Sequence, residues 1–251
     1  MAESFAAAGA TVSVAARSIE SLETVARSVN GRAFAVDLFD SEQVDALIGR
    51  VEAEVGPIDV LVNNAGLETE SWFHLESSER VRQVIRLNLE APLMLTRAVL
   101  PGMLERGRGH LVFTSSVAGS AGFPGLATYS ATKAGMNNFL AALRIELRDT
   151  PIHSTLVAPG PVDTQMWDQI VATPDLAPMV KRLRMLQLIP MVNPKKLADD
   201  TVRAVKADRR HVRRPRRNFL TYWLSESPRR IFELLLKGVP FVAPGKKLPE
   251  K

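Results

Sequence analysis

Three side chains carry the chemistry that can be read from this sequence: Ser116, Tyr129 and Lys133. Tyr129 and Lys133 are four residues apart in a helical segment, so their side chains share one face. An ammonium beside a phenol favours phenolate, and the spacing predicts a Tyr129 pKa below the usual value near 10. Such a tyrosine works as an acid–base group near neutral pH. Ser116 closes an apolar run, where a strand end can aim a hydroxyl at a carbonyl oxygen. The other tyrosine, Tyr222, has Glu226 at the equivalent spacing and carries no such pattern. Ser115, next to Ser116, is read as structural.

Positioning these groups requires alternating strands and helices. Apolar β-branched runs at 11–16, 33–37, 58–62, 110–115 and 154–158 read as strands. Helical patterns fall at 2–8, 20–29, 41–55, 77–106 and 127–149, with Pro92 placed at a bend. At least five strands alternating with helices predict α/β architecture: a Rossmann-type doubly wound parallel sheet with helices on both faces, in three layers. Residues 1–205 read as one domain, with a less regular segment at 163–195. Residues 206–251 read as a basic and amphipathic extension.

Composition narrows the function classes. The 251 residues are 46% hydrophobic and 24% charged, which excludes a disordered or fibrous chain. Cysteine is absent, which excludes disulfides, zinc–thiolate and iron–sulfur sites; no metal site is assigned. No apolar run reaches the roughly 18 residues that span a membrane, and no secretory signal opens the chain. A reduced, cytoplasmic setting is expected.

The net charge of +5 is local. Residues 206–217 hold seven Lys or Arg against Asp208, whereas the remainder has 25 basic and 26 acidic residues. Apolar and aromatic residues follow that patch as far as 242. Three readings stay open: peripheral contact with an anionic membrane surface, a strand edge with a helix docked on the body or another subunit, and nucleic acid. No nucleic-acid reading motif accompanies the charges, so that partner is not expected.

In these residues the chain resembles the short-chain dehydrogenase/reductase family, from residue 1 to about 205. LVFTSSVAGSAGFPGLATYSATKAG (111–135) is similar to its serine strand and YxxxK helix, and NNAG (63–66) to its signature after a strand. Asn88 in RLNLEAP, Asp37 in AVDLFD and the PG motif of APGPVDT (158–164) complete the likeness. The resemblance implies an NAD(P)-dependent oxidoreductase that interconverts a carbonyl and an alcohol, in a homo-oligomer. It implies a catalytic set of Asn88, Ser116, Tyr129 and Lys133. Tyr129 would exchange the proton, Ser116 would orient the substrate oxygen, and Asn88 would hold a relay water. Lys133 would hold the ribose hydroxyls. Cofactor contacts would come from Arg17, Asp37, Leu38, Asn63, Ala65, Gly66, Tyr129, Lys133, Pro159, Gly160, Val162 and Thr164. Val162 and Thr164 would fix the carboxamide.

Charge argues for NADP. Ala16 stands where an acid would bind a 2′-hydroxyl, and the following Arg17 suits a 2′-phosphate; NAD stays an alternative. Met166, Trp167, Ile170, Met179, Leu183, Met185, Leu186 and Met191 either cover a lipophilic ketone or alcohol or simply pack on the sheet. The family's first strand and TGxxxGxG turn are not found. A sheet without that strand has a gap of roughly 10 Å, two strand spacings, and two exposed inner edges. Met1 is therefore read as an internal methionine of a longer chain. The competing class is a non-catalytic, cofactor-deficient binding or membrane-associated protein.

Overall fold

The computed structural model describes residues 1–69, 71–173, 176–186 and 190–215, with Pro178 and Met179 as backbone. The Arg216–Arg217 end of the basic patch, Tyr222, the amphipathic stretch to 242 and the Met179 side chain lie outside the described residues.

The elements are α1 (Ala2–Ala7), β1 (Ser13–Ala16), α2 (Ile19–Ser28), β2 (Arg32–Ala35), α3 (Ser41–Val55), β3 (Val60–Asn63), α4 (Ser78–Ile85) and α5 (Ala91–Arg106). They continue with β4 (Gly109–Thr114), α6 (Ala127–Glu146), β5 (Ile152–Pro159), α7 (Gln165–Ala172), α8 (Ala177–Met185), α9 (Pro194–Lys206) and β6 (His211–Arg214). Helix starts follow their capping residues. Asp40 accepts from the Glu42 and Gln43 amides at 3.0 and 3.3 Å, Ser77 from the Arg80 amide at 3.1 Å, and Asn193 from the Lys196 amide at 2.9 Å.

All strand pairs are parallel, and the sheet lies in two pieces, β1–β2 and β3–β4–β5–β6. Among the described residues no strand pairs with the second edge of β1 or with that of β3, which matches the expected gap. One core nevertheless spans both pieces. Phe34 and Val36 near β2 and Val44, Leu47 and Ile48 of α3 join Leu95, Val99 and Met103 of α5, Leu111 and Phe113 of β4, and Leu140 of α6. Val112, Val157 and Val212 pack with Leu197 and Ala204 of α9 on the other face. Neighbouring residues of β4 thus feed opposite cores, which puts helices on both sides of the sheet.

Three expectations change. The helix expected at 77–106 is interrupted by a π-helical turn at Arg86–Glu90. Pro92 sits just beyond it in the first turn of α5, and its missing N–H relieves the α-helical bond that residue 88 would otherwise accept. The segment 163–195 is more regular than expected, since α7 and α8 lie within it. The sheet also passes the expected boundary at 205: β6 lies inside the basic patch and pairs with β5, Leu156 opposite His211. Its sequence, His211-Val212-Arg213-Arg214, has a single apolar residue, and that hid the strand. Arg214 pairs with Asp200 of α9, a structural use of one patch residue.

Candidate active site

The expected groups meet at the C-terminal edge of the four-stranded piece. Asn63 ends β3, Ser116 follows β4, and Tyr129 and Lys133 lie in the first turns of α6. Ser116 caps the 3-10 turn at Val117–Gly119, its Oγ accepting from the Ala118 amide at 3.1 Å. The same hydroxyl faces the Tyr129 phenol and favours its ionised form. Lys133 is 3% exposed, and its Nζ donates to the Thr114 carbonyl at 2.8 Å while lying 5.6 Å from the Tyr129 ring centroid.

The protonation pattern departs from the sequence expectation. Burial pushes the Tyr129 phenol up to about 12, against a lowering by the Ser116 hydroxyl, and the Glu68 carboxylate raises it further. Burial also brings the Lys133 ammonium down to about 8. A buried ammonium aimed at a carbonyl therefore does not offset the desolvation of its tyrosine neighbour. The pair holds a protonated phenol at neutral pH.

Asn88 is fully buried at the centre of the π-turn, which directs its amide inward. Its Oδ1 accepts from the Leu67 amide at 2.8 Å, and its Nδ2 donates to the Leu67 carbonyl at 2.7 Å and to Thr132 Oγ1 at 3.2 Å. Asn88 thereby latches the chain after NNAG onto α6. A Cβ placed on Gly66 would stand 3.5 Å from Asn88 Oδ1 and 3.6 Å from Lys133 Nζ, so the three residues converge.

The other expected contacts fall on two neighbouring edges. Ala16 pairs with Ala35, bringing exposed Arg17 and half-buried Asp37 to the same end of β1–β2. Asp37 Oδ1 accepts from the Phe39 amide at 3.0 Å, and Leu38 packs against the main core. Asn63 Nδ2 reaches Thr96 Oγ1 at 3.4 Å, and Ala65 precedes Gly66 in the loop after β3. At the end of β5, the Gly160 amide donates to the Arg214 carbonyl at 2.6 Å, Val162 bridges to Val192, and Thr164 Oγ1 donates to the Val162 carbonyl at 3.2 Å. Leu126, Ile170, Leu176 and Val180 form an apolar cluster against which Phe123, Tyr129 and Trp167 pack.

Sequence reading missed Glu68 and Asn137. Glu68 is 3% exposed and acts on Tyr129 through its charge. Its sequence signal was an acid two residues after the NNAG glycine, too short a pattern to distinguish from a solvated loop. Asn137 lies on α6 at the same i, i+4 spacing beyond Lys133, in a place that reads as core.

Known proteins share this sequence pattern and fold. The family model for short chain dehydrogenases matches residues 1–175. A ketoacyl reductase of Nostoc sp. is 36% identical over 213 residues, 82% of this chain and 70% of that protein. The 3-oxoacyl-acyl-carrier-protein reductase of Escherichia coli is 31% identical over 168 residues, 66% of this chain and 69% of that protein. Among solved structures, a short-chain dehydrogenase from Streptomyces avermitilis aligns with a TM-score of 0.76 at 28% identity, over 96% of this chain and 93% of that one. A metagenomic short-chain oxidoreductase in complex with NADP aligns with a TM-score of 0.67 at 31% identity, over 84% and 89%. The chain belongs to the short-chain dehydrogenase family, NAD(P)-dependent oxidoreductases acting on CH–OH and C=O groups.

Proposed function

We propose that this chain reduces a lipophilic carbonyl compound with NADPH, Tyr129 delivering the proton to the substrate oxygen. The Ser116 hydroxyl facing the Tyr129 phenol beside the buried Lys133 ammonium, at the C-terminal edge of a parallel sheet, carries the reading. Ser116 orients the oxygen, and the phenol, protonated at neutral pH, gives up its proton as negative charge develops there.

The donor set suits a nicotinamide cofactor. Lys133 has three N–H donors, and among the described residues Thr114 takes one, which leaves donors for ribose hydroxyls. Arg17, with Ala16 before it, suits a 2′-phosphate, and Asp37 and Leu38 flank the adenine end of the same edge. Asn63, Ala65 and Gly66 line the middle, with Pro159, Gly160, Val162 and Thr164 at the carboxamide end. Bound there, the cofactor supplies the hydride. The apolar cluster of Leu126, Ile170, Leu176 and Val180 next to Tyr129 supports a lipophilic substrate. Two relatives are named as ketoacyl and 3-oxoacyl reductases, which makes a β-keto thioester such as acetoacetyl-CoA the first substrate to try.

Thermal-shift titration with NADPH and with NADH tests the cofactor assignment. NADPH at 100 times its Kd stabilises the fold by about 2.7 kcal/mol, and Arg17→Ala weakens NADPH far more than NADH. Absence of a shift with either cofactor favours the non-catalytic reading, for which the split sheet is the supporting observation.

A further inference from the structure

Asn137 is 4% exposed and lies on α6 one turn beyond Lys133. Its Oδ1 accepts from Ser115 Oγ at 2.6 Å, and its Nδ2 donates to the Gly119 carbonyl at 3.0 Å. A carbonyl only accepts, so the amide has one orientation that satisfies both partners. Those partners bracket Ser116 on either side. The loop also sits directly on the helix: a Cβ added to Gly119 would stand 2.7 Å from Asn137 Nδ2 and 2.9 Å from both the carbonyl carbon and oxygen of Lys133. A side chain at 119 would lift the loop off α6 and break the second bond.

Between the two anchors Ser116 is extended, with φ −157° and ψ 162°, and its Oγ is held by the Ala118 amide and faces the Tyr129 phenol. The loop carrying the serine is thus fixed to the helix that carries the tyrosine and lysine. One buried amide makes both side-chain anchors.

We propose that Asn137 is a positioning residue for the reaction, clamping the 115–119 loop so that Ser116 Oγ stays in register with the Tyr129 phenol. Asn137 touches none of the reacting atoms; it acts through Ser115 and Gly119. This role rests on the reading of Ser116 and Tyr129 given above. Ser115 accordingly becomes one half of the clamp. Misplacing a reacting group by about 1 Å costs on the order of 10²-fold in rate, so a clamp of this kind shows in kcat.

The test is the double variant Ser115→Ala with Asn137→Leu, which removes both partners of the shorter bond and also takes the donor from the Gly119 carbonyl, so that both anchors are lost. Its expected behaviour is a retained fold with a melting temperature lowered by a few degrees, from the orphaned Gly119 carbonyl, and an unchanged KM for NADPH. Acetoacetyl-CoA reduction has a kcat lowered by roughly 10- to 100-fold. Hydrogen–deuterium exchange of the 115–121 amides is faster. A purely structural role predicts lost stability and affinity with kcat per folded molecule preserved, and that result overturns the proposal. Ser115→Ala alone carries the same readouts should the double variant not fold. Asn138→Ala, on the exposed side of the same turn, is the control and behaves as wild type. If the wild type reduces no acetoacetyl-CoA, the functional reading fails separately. Loop exchange then decides the clamp, and unchanged exchange overturns it.

Discussion

At the scale of single residues the decisive feature is a phenol kept protonated beside a lysine that is charged at neutral pH and loses its proton first as pH rises. Tyr129 is pushed up to about 12 by burial, while burial brings Lys133 down to about 8. As pH rises through about 8 the ammonium is lost first, with the phenol still protonated. The expected kcat/KM for carbonyl reduction is therefore flat near neutrality and falls above about pH 8, and a pH–rate profile on the free enzyme reads it. The identities of Ser116, Tyr129 and Lys133 were legible because type and spacing carry the chemistry. The direction of the tyrosine shift was not legible, because it depends on how deeply the pair is buried and on where the ammonium points. Glu68 illustrates the same limit. Its effect comes from a loop that folds back over the site, held in part by the Arg80 guanidinium donating to the Glu68 carbonyl at 2.7 Å.

At the scale of elements, β4 and its neighbours set the site's rigidity. Phe113 is fully buried and stacks edge-on with Phe139, ring centroids 6.1 Å apart. Phe113→Ala is expected to cost about 3–5 kcal/mol, read from urea unfolding, since little else can fill the space. The α3 cap is a milder case: Asp40→Ala is expected to cost about 1 kcal/mol in the same assay. Strands rich in Val, Leu and Phe, such as Leu111–Phe113, were plain in the sequence, as was α3 with its regular apolar spacing. The π-turn around Asn88 was hidden, because its cause combines Pro92 with tertiary contacts from Leu67 and Thr132. β6 was hidden for another reason. Its arginines suggested solvent, yet Arg214 is satisfied by Asp200 and the strand by its β5 partner.

Across the whole molecule, a buried histidine at the far end of the sheet contributes to the loss of stability in acid. His110 is 5% exposed, and its Nε2 lies 2.8 Å from Thr155 Oγ1. Its Nδ1 faces the Asp208 carboxylate at 3.5 Å, and that carboxylate also faces His153 at 3.8 Å. Burial lowers the His110 pKa to about 4, against the raising effect of Asp208 and with further lowering by His153 and Arg144. The unfolded chain binds this proton near pH 6.5, so the fold's advantage is complete above that value. It is lost as pH falls from 6.5 towards 4, to the extent of about 3 kcal/mol. Urea midpoints measured across that window in wild type and in His110→Gln give the comparison, with the variant showing the flatter dependence.

The two-piece sheet is the other feature of the whole molecule. One core joins the pieces, and the groups proposed to hold a cofactor are shared between them: Arg17 and Asp37 on one, Asn63 and Gly160 on the other. The most direct measurement is the consumption of NADPH in the presence of acetoacetyl-CoA by the wild-type chain and by Tyr129→Phe, each first shown to bind NADPH by thermal shift. Turnover by the wild type, reduced about 10³-fold in the variant with NADPH binding retained, is the expected result. Equal turnover by the two proteins would contradict the assignment of Tyr129 as proton donor.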